Sequence, residues 1–468
     1  MALNGSAHYL SISSISRQIA LGEVSPVEVT EMQLARIAQL NPGLQAYVTV
    51  AGDSALAAAK DAEREIASGQ WRGPLHGVPL AVKDLCLTRD ARTRFGTMAY
   101  DYAPQADEAT AVRRLRQAGA VILGKLTMTE AATLYHHPDC PTPINPWDGR
   151  FWTGASSSGS GVATAAGLCF GALGSDTAGS IRNPSLCCGL TGLKPSWGRV
   201  SRHGVLALAE SLDHLGPMAR SVEDVAMLLG AIAGPDPLDP TALRAPVPNY
   251  LRALENGIGL LRIGIDSDYA MAGVEPSVLA AVKSVTETLS ALGGRTVDCK
   301  VPDWQDAVRN GVTILNAEVG EIHQERYTLN SKDFSAALGA MINVGQETAA
   351  ADLLRAQRAA LAFSRRMIAL FEDIDVLVLP VLPVRVPSLH QVEGFADDFA
   401  EAVNLLARFS LPFNVAGLPS LVLPCGVDEN GLPIAAQLIG PPLSEDRLLS
   451  VGHAFQAVTP WHTRHPNC

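Results

Sequence analysis

The 468-residue sequence predicts an α/β fold, a layered core of strands and helices, from three observations. The composition is 47% hydrophobic and 18% charged, which is globular and sufficient for a large core. Short apolar, β-branched runs alternate with segments of helical period through about residue 230, the pattern of α/β layers. No run approaches ~18 uncharged apolar residues, so no transmembrane helix is expected.

The elements follow in order. Residues 25–40 predict a helix: Ser25-Pro26-Val27-Glu28 reads as a capping box with proline at the first helical position, and Val29, Met32, Ala35 and Ile37 keep roughly helical spacing. Residues 52–69 predict an alanine-rich second helix. Gly77-Val-Pro-Leu-Ala-Val-Lys83 predicts a buried strand, 108–118 a helix, and Ala120 to Gly124 the next strand. Five prolines between 234 and 249 mark a linker or long surface connection. Beyond it, Leu260 to Ile265 predicts a strand and 276–292 a helix, and 303–373 is mainly helical. Val376 to Leu379, Ser420 to Leu423 and Ile434 to Ile439 predict strands, and Glu445 to Phe455 a last helix.

Charge and cysteine usage exclude several classes. A net charge of −11 argues against a general nucleic-acid or anionic-membrane surface. Eight cysteines without a Cys-x-x-Cys argue against a disulfide framework or zinc site and favour a reducing, cytoplasmic setting. The N-terminus, Met1-Ala-Leu-Asn-Gly5, has no charged region leading into an apolar one, so no signal peptide is expected. His136-His137 is the one close histidine pair, and adjacent residues share no helix face. No metal and no organic cofactor are expected.

The most informative stretch runs from Gly154 to Arg182. Gly154-Ala-Ser-Ser-Ser-Gly-Ser-Gly161 and Gly174-Ser-Asp-Thr-Ala-Gly-Ser-Ile-Arg182 flank the apolar segment Val162 to Leu173. In the second loop, small residues around Ser180 let successive backbone N–H groups converge, a nest that holds negative charge. A serine there becomes a nucleophile only if a base removes its proton. The stretch has no Gly-x-Ser-x-Gly elbow and no nearby histidine. A lysine serves if burial keeps it neutral. Lys83 ends an apolar strand, whereas Lys125 and Lys194 follow glycine-containing turns, and residue chemistry alone leaves all three open. Dinucleotide binding at 154–167 fails, because Gly159-Ser-Gly161 is followed by Thr164 where a third glycine belongs.

Gly77 to Asp84, the loop 154–161 and Gly174 to Pro184 together resemble the amidase signature family. Gly124-Lys125 with Glu130, Gly192-Leu-Lys-Pro-Ser196, Gly198-Arg-Val-Ser201, Ser211-Leu-Asp213 before Gly216-Pro217, and Ala416-Gly-Leu-Pro-Ser420 with Gln437-Leu-Ile-Gly440 carry the same resemblance. It spans roughly residues 10–457 and is densest between 70 and 230. It implies the amidase-signature fold, a central mixed β-sheet covered by helices on both faces. It also implies one amidase domain over 1–468, with a signature core at about 70–230, a more variable pocket region at about 234–400 and completing strands and helix at 401–468.

The resemblance assigns Ser180 as nucleophile, Ser156 as bridging serine after a cis Ala155–Ser156 bond, and Lys83 as base. The backbone N–H groups of Thr177, Ala178, Gly179 and Ser180 would form the oxyanion hole. Ser157 would support the network, Ser158 and Ser160 would orient the loop or start the next helix, and Asp176 with Arg182 would brace it. Leu134, Tyr135 and His136 would line the pocket, together with parts of 303–350 and 385–400. Ala155 and Ala178 stand where the family commonly has glycine, and a positive φ at either would be costly. The implied activity is hydrolysis of linear amides of small, apolar or aryl substrates through an acyl-enzyme, with carbamates and esters as further candidates. A monomer or homodimer acting on a small molecule, without nucleic acid or membrane, is the expectation. The competing readings are the amidase component of a glutamine-dependent tRNA amidotransferase, with partner chains, and a non-catalytic binding protein on the same scaffold.

Overall fold

The computed structural model describes residues 7–395 and 399–468. The N-terminal stretch 1–5 read for a signal peptide, and 396–398 of the candidate loop 385–400, lie outside the described residues. Among the described residues, eleven strands form one sheet: β1 (Tyr47–Val50), β2 (Pro79–Lys83), β3 (Val121–Leu126), β4 (Gly171–Asp176), β5 (Thr191–Lys194), β6 (His214–Ala219), β7 (Arg262–Ile265), β8 (Arg295–Asp298), β9 (Val376–Pro380), β10 (Ser420–Val427) and β11 (Pro433–Ile439). Their spatial order is β1-β3-β2-β4-β6-β5-β10-β11-β9-β7-β8. The sheet is mixed: β3, β2 and β4 run parallel, as do β9, β7 and β8, and the remaining pairs are antiparallel.

Helices cover both faces. Every residue of β2, β3 and β4 is buried, and because successive side chains of a strand point to opposite faces, both faces are sheltered. Leu80, Val82 and Ile122 pack into one core with Val225 and Leu229 of the helix Val222–Ile232. Ala81, Val121, Leu123 and Ala172 pack into another with Val162 and Ala163 of the helix Ser158–Ala165.

The predicted elements form with small shifts of boundary. The first long helix spans Pro26–Leu44, and Ser25 and Glu28 close the expected capping box. The alanine-rich helix spans Gly52–Ala67. The region 303–373 resolves into helices Trp304–Asn330, Ala336–Glu347 and Ala350–Asp373. Five strands were not singled out in the sequence reading: β1 and β8, the two edges of the sheet, and the inner strands β4, β5 and β6. An edge strand needs no continuous apolar run, and Arg295-Thr-Val-Asp298 is mostly exposed. The proline-rich connection carries no helix or strand from 234 to 249. It is tied to the signature core by Ser201 Oγ donating to Asp236 Oδ2 (2.6 Å) and the Arg202 N–H to Asp239 Oδ2 (2.7 Å). All eight cysteines are unpaired. No described helix is long and apolar enough to cross a membrane.

Candidate active site

The site forms beyond the carboxyl ends of β2 and β4. These strands are parallel neighbours, with Ala81 beside Ala172 and Val82 beside Leu173. Lys83 and the loop after Asp176 therefore emerge at the same edge of the sheet, where open α/β folds build their sites. The loop ahead of the helix Ser158–Ala165 comes to the same place. The Ser157 N–H donates to the Ser180 carbonyl (3.3 Å), and Ser157 Oγ both accepts the Ser175 N–H and donates to the Ser175 carbonyl (3.2 Å each). Ser157 is the clasp between the two loops.

Lys83 is fully buried, and its Nζ donates to Ser156 Oγ at 2.6 Å and to Ser175 Oγ at 2.8 Å. Burial draws its ammonium down from the usual lysine range to about 7, and the charges of Asp213 and Asp176 oppose that fall. The other two lysines are engaged elsewhere. Lys125 pairs with Asp84 at 2.9 Å and donates to Thr93 Oγ1, and Lys194 donates to the Leu418 and Pro195 carbonyls. Ser156 follows a cis peptide bond from Ala155. Ser180 lines a cavity and is only partly buried, and among the described residues its Oγ has no hydrogen-bond partner.

Asp176 organises the Ser180 loop. Its carboxylate accepts the N–H groups of Gly179 (2.9 Å), Ile181 (3.1 Å) and Arg182 (3.3 Å), together with two bonds from the Arg182 guanidinium (3.0 and 2.9 Å). Asn414 adds a donor to Asp176 Oδ1 and accepts from Arg182. Burial alone would raise the Asp176 carboxyl. The Arg182 guanidinium overrides it and holds the group well below the usual carboxylate range. Both side chains are fully buried, so the pair is an internal brace rather than a surface contact. Arg182→Met leaves a buried, unpaired carboxylate, and breaking such a pair costs about 3–5 kcal/mol. A urea titration is expected to show that loss. A stability within about 1 kcal/mol of the parent (roughly a fivefold change in the unfolding constant) would contradict the role.

The same bonding corrects the four-donor oxyanion hole. The Gly179 N–H is directed at Asp176 Oδ1, so it braces the loop, and the N–H groups of Thr177, Ala178 and Ser180 are left without an acceptor among the described residues. Thr177 is fixed from its side chain, which donates to Asp213 Oδ1 at 2.6 Å. Burial pushes the Asp213 carboxyl up to about 6, against the Thr177 hydroxyl and the backbone N–H groups of Leu208 and Ala209.

The two alanines cause no strain. The positive φ values fall on the neighbouring glycines, Gly154 (+80°) and Gly179 (+118°), and not on Ala155 or Ala178. A Cβ at Gly179 would come within 2.9 Å of Asn183 Nδ2 and of Ser410 Oγ. The chain keeps glycine where the backbone requires it.

A cavity of about 140 Å³ opens on Ser180. Its walls include Leu134, Trp152, Leu208, Leu315, Met341 and Leu406, and none of the described residues lining it is charged. Leu134 is where the sequence reading put it. Tyr135 and His136 are not among the lining residues. Tyr135 packs against the cluster of Trp152 and Ala155. His136 is enclosed beside Ser158 Oγ (3.4 Å), and burial lowers its imidazole to about 4. The segment 303–350 contributes Val312, Leu315, Asn316 and Met341 as expected. The wall from 402 to 411 lies past the candidate loop 385–400. Ser158 opens its helix, and Ser160 Oγ donates to the Leu173 carbonyl at 3.0 Å. No three His, Cys, Asp or Glu side chains gather as a metal site among the described residues.

Sequence reasoning missed Ser175, Asp213, Asn183 and Asn414 as site residues. Ser175, Asn183 and Asp213 lie inside quoted motifs, but Ser175 meets Lys83 only where β2 and β4 pair, and Asp213 meets Thr177 only where β4 and β6 pair.

Known proteins resemble this chain over nearly its whole length. The sequence profile of the family described as Amidase matches residues 28–449. The chain is 43% identical over 458 residues to AmiD of Mycobacterium tuberculosis (strain ATCC 25618 / H37Rv), an amidase by assignment, covering 98% of this chain and 96% of that one. It is 37% identical over 481 residues to one of the subunits of the glutamyl-tRNA(Gln) amidotransferase of Thermosynechococcus vestitus, covering 97% and 99%. A solved structure from a vestigial protein complex, described as revealing the origins of an s-triazine catabolic enzyme, superposes with a TM-score of 0.90. It is 32% identical, over 98% of this chain and 100% of that one.

Proposed function

Because this chain belongs to the amidase signature family, whose reaction is amide hydrolysis, we propose that Ser180, Ser156 and Lys83 carry that reaction on small apolar or aryl amides. The observation that carries the reading is the 2.6 Å contact from a fully buried lysine to Ser156, the serine beside the Ser180 loop.

The reading gives the following chemistry. Neutral Lys83 accepts the Ser156 proton as Ser156 takes the proton of Ser180, and Ser180 Oγ forms a bond to the carbonyl carbon. The oxyanion is held by the N–H groups of Thr177, Ala178 and Ser180, which are fixed before substrate arrives and need no reorganisation. The proton returns through Ser156 to the leaving nitrogen, the carbon–nitrogen bond breaks, and an acyl-Ser180 remains. Water, deprotonated along the same path, attacks the ester and restores the serine.

The substrate reading rests on the cavity. Apolar walls favour an alkyl or aryl group. Free glutamine is a zwitterion, and burying its two charges beside uncharged walls is costly. That weighs against the reading as a glutamine-using amidotransferase component, which the 37% identity supports. Carbamates and esters are side substrates. The purified chain alone, assayed for amine release from a panel of anilides, is expected to turn over without added protein or glutamine. Turnover only with partner chains and glutamine would move the function to the second reading.

A further inference from the structure

Among the described residues lining the cavity, only Asn183 has a buried side-chain polar atom without a hydrogen-bond partner, its Oδ1. Asn183 is 4% exposed. Its amide orientation is set by chemistry. The Leu406 carbonyl, 3.3 Å away, can only accept, so Nδ2 faces it and Oδ1 is the atom left over. Nearby donors are already committed. The Gly179 N–H goes to Asp176, and Ser410 Oγ donates to the Ala178 carbonyl at 2.6 Å. The carboxamide lies beside the nucleophile: the Asn183 N–H donates to the Gly179 carbonyl at 2.7 Å, and a Cβ on Gly179 would stand 3.1 Å from Oδ1.

A buried carbonyl oxygen without a donor costs free energy, and in native proteins it calls for a partner supplied from elsewhere. We propose that Asn183 Oδ1 accepts an N–H of the bound substrate next to the reacting carbonyl, so that the enzyme selects amides bearing N–H over N,N-disubstituted amides and esters. The inference rests on Ser180 being the amidase nucleophile and adds the substrate class. An ester offers no hydrogen there and leaves Oδ1 unsatisfied, which is the asymmetry by which a polar site rejects an analogue lacking its partner.

The test compares three substrates sharing one acyl group, an anilide, its N-methyl anilide and the phenyl ester, on the parent and on Asn183→Leu, which keeps the shape and removes the acceptor. The parent is expected to disfavour the N-methyl anilide by about tenfold in kcat/KM, the loss of one hydrogen bond. Asn183→Leu is expected to lose about tenfold on the anilide, keep its ester rate within about twofold, and erase the N–H preference. The unchanged ester rate shows that the variant is folded and that Ser180 still reacts. Equal losses on anilide and ester, or no preference for N–H in the parent, would overturn the proposal. A parent inert toward all three would overturn the amidase reading itself, and this inference with it.

Discussion

Ser180→Ala is expected to reduce amide turnover by roughly 10⁴-fold or more, with little change in stability. The large effect comes from the sequence of steps, since without Oγ there is no atom to carry the acyl group. The apolar cavity and the Thr177, Ala178 and Ser180 N–H groups survive, so substrate binding persists and the loss falls on kcat rather than KM. The side chain removed has no hydrogen-bond partner among the described residues, which is why the melting temperature is expected to move little. Steady-state kinetics beside a thermal melt checks both halves. Retained turnover in this variant would remove Ser180 from the mechanism.

Lys83→Met is expected to cost a comparable factor in kcat, and it carries a signature in pH. With its ammonium drawn down to about 7, the competent neutral form is lost as pH falls through that value. The parent's kcat/KM should therefore fall about tenfold per pH unit below 7 and level off above it. The stability consequence has the opposite sense from an ordinary paired lysine. Between about 7 and the unperturbed 10.5, the unfolded chain holds a proton that the folded chain does not, so stability rises with pH across that window. Below 7 the folded protein carries a buried ammonium. Lys83→Met removes that burden, so the variant should be inactive yet melt higher than the parent at pH 6, and its stability should vary less between pH 7 and 10. A melting temperature lowered at pH 6 would show that Lys83 is a structural cation instead. The uncharged, hydrogen-bonded lysine and the loss of activity are thus tested by separate readings.

Much of the fold and site was legible in the sequence because it was written locally. The capping box at Ser25 and Glu28, the buried run into Lys83 and the two hydroxyl-rich loops are each contiguous, and each forms as predicted. What was not legible depends on pairing across the sheet. Residue chemistry favoured Lys83, at the end of an apolar strand, without excluding Lys125 and Lys194. They separate only when the fold gives Lys125 to Asp84 and Lys194 to backbone carbonyls. Gly179 was counted as an oxyanion donor because it is small and adjacent to Ser180, and only the return of the Asp176 carboxylate over the loop shows its N–H to be spent. Tyr135 and His136 were placed in the pocket, with Leu134, by the family resemblance. The chain lines the cavity with Ala132, Thr133 and Leu134 and then leaves it, Tyr135 turning toward Trp152 and His136 toward Ser158, while further wall comes from 402–411, far away in sequence. The inner strands β4, β5 and β6 escaped because glycine, proline and polar residues interrupt them, β1 because it is only four residues long, and the edge strand β8 because it carries no apolar run.

The central claim is that an acyl group passes through Ser180. It is tested most directly by quenching the purified protein during turnover of a slow aryl amide or ester and mapping the added mass by peptide sequencing. One acyl adduct is expected, on Ser180, accumulating in the parent and absent from Ser180→Ala. An adduct on Ser156 or elsewhere, or turnover in Ser180→Ala without any adduct, would contradict the claim.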